Sequence, residues 1–291
     1  MTPIRIGLAG AGPWAQMVHA PSIAAAPEFQ LAAVWARRPE AAAELATRHN
    51  ATPFTEYGAF LRACDAVVCS VPPDVQPALA VAAAEAGKAL LLEKPLAATL
   101  PEAERLARVV TDARVPNMLV LTWRFSAAVR QFVAEARALE PIGGRAVFAG
   151  GGFLPGSPFA TPWRLERGPL LDLGPHVIDL LEATLGPVER VAAHGDRHGW
   201  VGLALEHAGG AHSEASFCAT AKVAMHTAGA EVFGRRGVAK VDCAATASPT
   251  DFATLYREFA AVIRGELEPI ADVQRGLELQ RIITAAGAQL G

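Results

Sequence analysis

The chain has 291 residues, of which 52% are hydrophobic and 19% are charged, so it can bury a large core and is too apolar for a disordered protein. A chain of this length suits two domains. The formal net charge of -3 and the lack of a long basic run argue against nucleic acid or an anionic membrane as the main partner.

The four cysteines, Cys64, Cys69, Cys218 and Cys243, form no C-x-x-C pair, which is typical of core-filling thiols in a reducing compartment. The first residues run directly into a strand-like segment without the apolar region of a signal peptide. No stretch is apolar enough over a sufficient length to suggest a membrane span. We therefore expect a cytoplasmic protein without a membrane partner.

The first predicted strand, Ile4 to Ala9, runs into a turn, Gly10-Ala11-Gly12-Pro13-Trp14-Ala15, that matches G-x-G-x-x-A. In a dinucleotide-binding fold, Gly10 would permit the tight turn and Gly12 the close approach of a pyrophosphate, while the small Ala15 would let the next helix pack on the strand. An ordinary glycine turn is the alternative. The place between a strand and a helix-length segment favours dinucleotide binding. The predicted cofactor contacts are Gly10, Gly12, Pro13, Trp14 and Ala15.

The second predicted strand, Leu31 to Trp35, ends without the acid that would hold the ribose hydroxyls of NAD. Ala36 stands there instead, followed by Arg37 and Arg38. An acid would repel a 2′-phosphate, whereas guanidinium groups bind one. This pattern favours NADP over NAD. The alternative is that the two arginines only begin the next helix from solvent.

Two further apolar strands are predicted, as in a parallel sheet with both faces covered. The first, Ala66 to Val71, ends in two prolines, and the second, Ala89 to Leu92, ends in Glu93-Lys94-Pro95. Lys94 would lie at the carboxyl edge of the sheet, where open α/β folds bind ligands, and Pro95 favours an extended backbone before it. A surface lysine beside a strand-end proline is the alternative. The predicted cofactor contacts at the ends of these strands are Ser70, Pro72, Pro73, Glu93, Lys94 and Pro95.

A last strand, Asn117 to Leu121, would complete a first domain of residues 1–121, and residues 122–291 would form a second. Residues 151–168 are rich in glycine and proline and are predicted to form an irregular loop that borders a pocket. There Trp163 would pack on a sugar-like ring and Arg164 would reach a hydroxyl or a carboxylate. In the alternative, Trp163 caps the core and Arg164 pairs with a nearby acid. Trp123-Arg124 is a second candidate substrate element.

A predicted helix, Leu170 to Leu185, carries Asp172, His176 and Asp179. Spacings of four and three place these side chains on one face. A lone histidine on an apolar helix is more often a hydrogen-bonded core group, but an aspartate one turn away would set its tautomer and make it a general acid or base. Together with Lys94, this pattern predicts Asp172 and His176 as catalytic residues. Asp179 would cap the helix or form a salt bridge.

The remaining strands are sequential and mostly alternating, which predicts a largely antiparallel sheet with one face for helices and the other for solvent or a partner. Two closing helices, Phe252 to Arg264 and Val273 to Leu290, follow. His194 and His198 are four residues apart but are flanked by glycines and lack a third ligand. They are predicted to be loop histidines, and no metal site is expected.

These motifs together resemble the glucose-fructose oxidoreductase / inositol dehydrogenase / MocA family of nicotinamide-dependent oxidoreductases. The matching pieces, in order, are the glycine-rich turn, Val71-Pro72-Pro73, Gly87-Lys88, Glu93-Lys94-Pro95, Arg124-Phe125 and the residues from Asp172 to Asp179. The E-K-P and D-x-G-x-H-x-x-D pair is more specific than the glycine fingerprint. Gln76, another candidate cofactor contact, replaces the histidine usual in the family, and Pro175 replaces a commoner small residue.

The resemblance implies a Rossmann domain followed by an α/β domain whose open sheet forms a homodimer or homotetramer. It also implies reversible hydride transfer to or from a sugar, cyclitol or similar polyol, and a cis peptide bond before Pro95. His176 would move the hydroxyl proton, Asp172 would orient His176, and Lys94 would stabilise charge on the oxygen. Reduction of a non-sugar carbonyl or imine, and a non-catalytic NADP-binding regulator, are the alternatives.

Overall fold

The computed structural model describes residues 2–291, which fold into two six-stranded sheets and the helices around them. The strands are β1 (Ile4–Ala9), β2 (Phe29–Trp35), β3 (Thr52–Phe54), β4 (Ala66–Cys69), β5 (Ala89–Leu92), β6 (Asn117–Leu119), β7 (Pro141–Ala149), β8 (Val188–Gly195), β9 (Val201–His207), β10 (His212–Cys218), β11 (Thr227–Gly234) and β12 (Gly237–Asp242). The helices are α1 (Ala20–Ala25), α2 (Pro39–Arg48), α3 (Tyr57–Arg62), α4 (Gln76–Glu85), α5 (Leu100–Ala113), α6 (Ala127–Ala138), α7 (Pro162–Arg167), α8 (Pro169–Leu185), α9 (Pro249–Ile263) and α10 (Val273–Gly287). A π-helical turn, Ala15–His19, precedes α1, and a 3-10 turn, Thr122–Phe125, precedes α6.

The first sheet is entirely parallel, in the order β3-β2-β1-β4-β5-β6. Its central strands are apolar and buried along their whole length. Leu90, Leu91 and Leu92 of β5 are all 0% exposed, and each such side chain stabilises the fold by about 1.5–3 kcal/mol. From β1, the strands β2 and β3 extend the sheet to one side, and β4, β5 and β6 extend it to the other. In open α/β sheets, ligands bind in the crevice at the carboxyl ends of the two strands where the strand order changes side, here β1 and β4.

The second sheet has the order β12-β11-β7-β10-β9-β8. All neighbouring strands are antiparallel except β7 and β10, which pair in parallel. The prediction of a largely antiparallel second sheet is therefore confirmed. Helix α8 packs against one face of this sheet, over β7 and β10.

The chain divides into two compact units. The first contains residues 1–120 and 252–277, and the second contains residues 121–251 and 278–291. The predicted second domain included residues 252–277, but the structure assigns them to the first unit. Two hydrogen bonds show the physical reason, because the amide of Leu119 donates to the carbonyl of Ala271 and the amide of Val273 donates to Oδ1 of Asn117, both at 2.8 Å.

Two local predictions were wrong. The segment 151–168 is not irregular throughout, because α7 forms within it, with Pro162 at the first helical position where a missing amide costs nothing. His194 is not a loop residue, since it lies in β8. In addition, the sequence did not predict β3, a strand of only three residues that contains a proline and lies at the edge of the first sheet.

All four cysteines are buried free thiols, as predicted for core-filling residues. Burial raises the pKa of Cys69, the last residue of β4, to about 12, so it remains an unreactive thiol at neutral pH. Among the helices of residues 2–291, none has the length and apolarity needed to span a bilayer.

Candidate active site

The glycine-rich turn is held between the ends of β2 and β4. The amide of Gly10 donates to the carbonyl of Trp35, and the amide of Ser70 donates to the carbonyl of Ala9, both at 2.7 Å. Gly10 has a φ of +123°, and a Cβ added there would lie 2.0 Å from the carbonyl oxygen of Ser70. Only glycine fits this position, because other residues rarely adopt this φ and would clash with the neighbouring backbone.

Gly12 differs from Gly10 because it faces open space. A Cβ added at Gly12 would meet no atom within 4 Å. Ala15, which is 0% exposed, begins the π-helical turn that leads into α1. Free backbone amides at the start of a helix attract phosphate, and the space beside Gly12 admits one. The turn therefore fits the pyrophosphate of a dinucleotide.

We expect alanine at these two glycines to separate folding from cofactor binding. Gly10→Ala should lower the free energy of unfolding by about 3 kcal/mol or more, because backbone strain and a clash add together. Gly12→Ala should change it by less than about 1 kcal/mol, since the new methyl group meets no protein atom, yet should weaken the binding of a nicotinamide dinucleotide. Chemical denaturation and fluorescence titration measure the two effects. Equal destabilisation by both substitutions would contradict this assignment.

The turn that carries Lys94 is held by the side chain of Gln76. Nε2 of Gln76 donates to the carbonyl oxygens of Glu93 at 2.7 Å and of Leu96 at 3.0 Å, while its Oε1 accepts the amide of Glu93 at 2.8 Å. Gln76 is 1% exposed, so these bonds are shielded from water. The Lys94–Pro95 peptide bond is cis, as the resemblance implied. The structure thus gives Gln76 the role of holding the turn, and a contact with cofactor stays a prediction.

The prolines that follow β4 belong to the same edge of the first sheet. The carbonyl of Pro72 accepts the amide of Gln76 at 3.0 Å, and the carbonyl of Pro73 accepts the amide of Ala98 at 3.1 Å. The second of these bonds ties the residues after β4 to the residues after β5. The predicted cofactor contacts at both strand ends therefore form one connected edge.

Arg37 and Arg38 are both exposed and follow β2 after one residue, Ala36. The carbonyl of Trp35, the last residue of β2, accepts a hydrogen bond from the amide of Gly10. The two arginines therefore follow a strand end that contacts the glycine-rich turn. Arg38 also precedes Pro39, the first residue of α2. A phosphate contact and the alternative, in which the pair only begins the helix, both stay predictions.

In the second unit, α8 carries the predicted catalytic pair. Asp172, His176 and Asp179 are 6%, 7% and 3% exposed. Every residue of α8 except Glu182 is buried. Buried carboxylates require partners, because an unpaired charge out of water is costly.

Two arginines supply such partners. Nε of Arg164 donates to Oδ2 of Asp172 at 2.9 Å, and Nη1 of Arg124 lies 3.5 Å from Oδ2 of Asp179. The guanidinium of Arg164 also lies over the ring of Trp163, 4.5 Å from its centroid. Of the two roles that the sequence left open for Arg164, the structure shows pairing with an acid.

The ring of His176 stacks with Trp123, with centroids 5.4 Å apart and planes inclined by 30°. Trp123 in turn stacks with Phe148, at 5.5 Å between centroids. Trp123 is only 4% exposed, so it supports the imidazole from within the unit. A direct substrate contact for Trp123 stays a prediction.

Sequence reasoning missed two buried groups, His19 and Tyr256. His19 lies one helical turn beyond Ala15, on the same face, and this spacing was the only available signal. Tyr256 carries no local signal, because its contact with His19 joins residues 237 positions apart. Within residues 2–291, no group of three or more His, Cys, Asp or Glu side chains is placed to bind a metal ion.

Comparison with known protein families assigns both units. A model of an oxidoreductase family with an NAD-binding Rossmann fold matches residues 4–119, and a model of the GFO/IDH/MocA C-terminal domain matches residues 126–240. The chain belongs to the GFO/IDH/MocA family.

Among similar proteins of the GFO/IDH/MocA family, levoglucosan dehydrogenase from Pseudarthrobacter phenanthrenivorans is 30% identical over 66% of this chain and 54% of its own length. The 1,5-anhydro-D-fructose reductase of Ensifer adhaerens is 36% identical over 44% of this chain and 40% of its own length. The chain thus spans about half the length of the curated relatives it matches. The crystal structure of GenD2 from gentamicin A biosynthesis, in complex with NAD, has a TM-score of 0.87 at 21% identity, over 99% of this chain and 94% of that one.

Proposed function

We propose that this GFO/IDH/MocA protein is a nicotinamide-dependent oxidoreductase that acts on a sugar, cyclitol or similar polyol. The observation that carries the proposal is the turn at Gly10 and Gly12, which fits a pyrophosphate at the same sheet edge that carries Lys94. Two similar proteins are named for reactions of levoglucosan and 1,5-anhydro-D-fructose, which supports a sugar-like substrate.

The proposed chemistry assigns one role to each of three residues. His176 accepts the substrate hydroxyl proton on an imidazole nitrogen during oxidation and returns it during reduction. Asp172 orients His176, and the ion pair with Arg164 holds Asp172 in place. The ammonium of Lys94 stabilises negative charge on the reacting oxygen. A bound nicotinamide supplies the hydride acceptor or donor.

On the cofactor side, we propose contacts from the glycine-rich turn and from the residues after β4 and β5. The supporting geometry is the network of short backbone bonds between the strand ends. The proposed contacts are Gly10, Gly12, Pro13, Trp14, Ala15, Ser70, Pro72, Pro73, Gln76, Glu93, Lys94 and Pro95. We propose NADP as the preferred cofactor, because exposed Arg37 and Arg38 follow β2 and Ala36 stands where an acid would select NAD.

We expect the double substitution Arg37→Ser with Arg38→Ser to raise the Kd for NADPH by about tenfold or more, since two charge-assisted contacts with the 2′-phosphate are lost. The Kd for NADH should change by less than about threefold, because NADH lacks that phosphate. Fluorescence titration of both cofactors measures these constants. Arg108→Ser, an exposed arginine on α5, is the matched control. An NADH preference in the unaltered protein would refute the proposal.

On the substrate side, we propose that Trp163 and Arg124 border the pocket with Asp172 and His176. Trp163 is half-buried and one of its partners is the guanidinium of Arg164. An indole next to a cation suits the face of a hydroxylated ring. Arg124 lies near Asp179 and is 17% exposed in its side chain, so it retains some access to a ligand.

We further propose that the protein is cytoplasmic and forms a homodimer or homotetramer through the second sheet. Four unpaired cysteines support a reducing compartment. The sheet face that carries Arg145, Glu231 and Lys240 supports the interface, because these residues form an ion-pair ladder on the less buried face of β7, β11 and β12. A second copy of the chain would supply a matching ladder.

Activity is tested with a panel of sugars, cyclitols, polyols and the corresponding ketones, by following NADPH absorbance in both directions. Turnover of at least one panel member is expected. Non-sugar carbonyls and imines belong in the same panel as the alternative substrates. Tight NADPH binding with no turnover of any member would instead favour a regulator.

A further inference from the structure

A buried histidine links three parts of the first unit. His19, which is 0% exposed, ends the π-helical turn that follows the glycine-rich turn. Its Nδ1 lies 2.8 Å from the hydroxyl oxygen of Tyr256, and its Nε2 lies 2.9 Å from Oε1 of Glu93. Tyr256 is 0% exposed and belongs to the segment of α9 in the first unit. The proposed chemistry uses neither His19 nor Tyr256.

The direction of these hydrogen bonds follows from the donors around Glu93. Nε1 of Trp14 donates to Oε1 of Glu93 at 2.7 Å, and the amide of Lys94 donates to Oε2 at 3.1 Å. Burial, with a smaller effect of Glu93, raises the pKa of Tyr256 well above its usual value, so the phenol keeps its proton and donates to Nδ1 of His19. The tautomer that pairs every group then carries its proton on Nε2 and donates to Glu93.

The carboxylate of Glu93 therefore accepts hydrogen bonds from both segments that border the proposed cofactor site. Trp14 belongs to the glycine-rich turn, and Lys94 belongs to the turn after β5. Both bond to Glu93, which is 8% exposed. His19 bonds to the same carboxylate, and Tyr256 bonds to His19. A buried polar network with its members paired is rigid, because each broken bond would leave a group unsatisfied out of water.

We propose that His19 and Tyr256 are positioning residues for the cofactor site, acting through Glu93 to hold Trp14 and Lys94 in a fixed relation. This inference rests on the proposed function, since the network would hold the glycine-rich turn and the turn after β5 in place before the dinucleotide binds. Preorganised contacts bind more tightly because less conformational freedom is lost on binding.

The test compares the only two tyrosines of the chain. Tyr256→Phe removes the hydroxyl that donates to His19 and keeps the ring that packs edge-on against Phe29. Tyr57→Phe is the matched control, because the hydroxyl of Tyr57 also makes a hydrogen bond within the protein. This bond, to the carbonyl of Leu79 at 3.0 Å, is partly buried and lies outside the His19 network. Melting temperatures of both variants verify that each remains folded at the assay temperature.

The first readout needs no cofactor. Acrylamide quenches the fluorescence of all five tryptophans of the chain. The contribution of Trp14 is the difference in fluorescence between each protein and the same protein carrying Trp14→Phe. Loss of the network should raise the Trp14 quenching constant by about half or more in Tyr256→Phe and leave it unchanged in Tyr57→Phe. No change in Tyr256→Phe would overturn the proposal, whether or not the protein binds NADPH.

The second readout is the Kd for NADPH by fluorescence titration. Tyr256→Phe should raise it by about three- to tenfold, the effect of one or two weakened hydrogen bonds, while Tyr57→Phe should stay within about twofold. A lower melting temperature with an unchanged Kd would show a purely structural role and overturn the proposal. Should the unaltered protein bind neither NADPH nor NADH, the proposed function itself fails. Raised Trp14 quenching would then show that the network positions the glycine-rich turn, but the proposed role of His19 and Tyr256 in cofactor binding would be overturned.

Glu93→Gln is a second variant with the shape of the network preserved. The amide keeps one acceptor oxygen, but its NH2 group replaces an acceptor, so Trp14, His19 and the amide of Lys94 can no longer all be paired. Both readouts should change in the same direction as for Tyr256→Phe, by an equal or larger factor. A Kd for NADPH equal to that of the unaltered protein would count against the proposal.

Discussion

Lys94→Ala is expected to lower kcat by about 10²–10³-fold, the usual loss when a group that stabilises charge on a reacting oxygen is removed. The fold should persist, because several contacts that hold this turn are made by backbone atoms that alanine keeps. The amide of residue 94 would still donate to Glu93, and Gln76 would still bond to the neighbouring carbonyls. The loss should therefore be far larger in turnover than in the melting temperature.

Initial-rate kinetics with the best substrate of the panel, beside a thermal melt, measure this expectation. Lys222→Ala provides the control, since Lys222 is exposed and lies between β10 and β11. It should retain full activity. If Lys94→Ala turned over at the rate of the unaltered protein, Lys94 would have no role in the chemistry, and the alternative of an ordinary strand-end lysine would hold.

His176→Gln is expected to lower kcat by about 10²–10⁴-fold, the range for loss of a general acid or base. Glutamine occupies a similar volume beside Trp123 but cannot exchange a proton near neutral pH. The Kd for NADPH should stay within about twofold, because His176 lies on α8 in the second unit, whereas the Rossmann model matches the first. A large fall in kcat with unchanged cofactor binding would identify His176 as the proton-transfer residue.

The matched control for this substitution is His198→Gln, because His198 is exposed in the turn between β8 and β9. Parallel measurement of kcat and of the Kd for NADPH separates the two possible failures. Normal turnover in His176→Gln would contradict the proposed chemistry. Loss of NADPH binding together with turnover would instead indicate that the substitution disturbs the fold.

Local sequence patterns determined much of the first unit. The bounds of β1 and β5 agree with their apolar runs, and the glycine-rich turn follows β1 as the fingerprint requires. These features depend on contacts between residues close in sequence. By contrast, β3 is short, exposed and contains Pro53, so its position comes from pairing with β2. Such pairing between separate segments carries no local periodicity.

The same division applies to the candidate site. The spacing of Asp172 and His176 on one helix was legible in the sequence, because the helical repeat alone brings them together. The sequence could not show which residue pairs with Asp172, since an arginine that contacts a ligand and an arginine that pairs with an acid have the same sequence pattern. Only the packing of α7 beside α8 decided for the ion pair with Arg164.

Glu93-Lys94-Pro95 shows both contributions in one turn. The sequence by itself determined that an acid, a lysine and a proline follow a buried strand at the carboxyl edge of a parallel sheet. The tertiary structure decided what Glu93 does, because Trp14, His19 and, through His19, Tyr256 reach it from distant parts of the chain. Local propensity sets the course of the backbone over a few residues, whereas the pairing of a buried carboxylate depends on which side chains the completed fold brings within hydrogen-bonding distance.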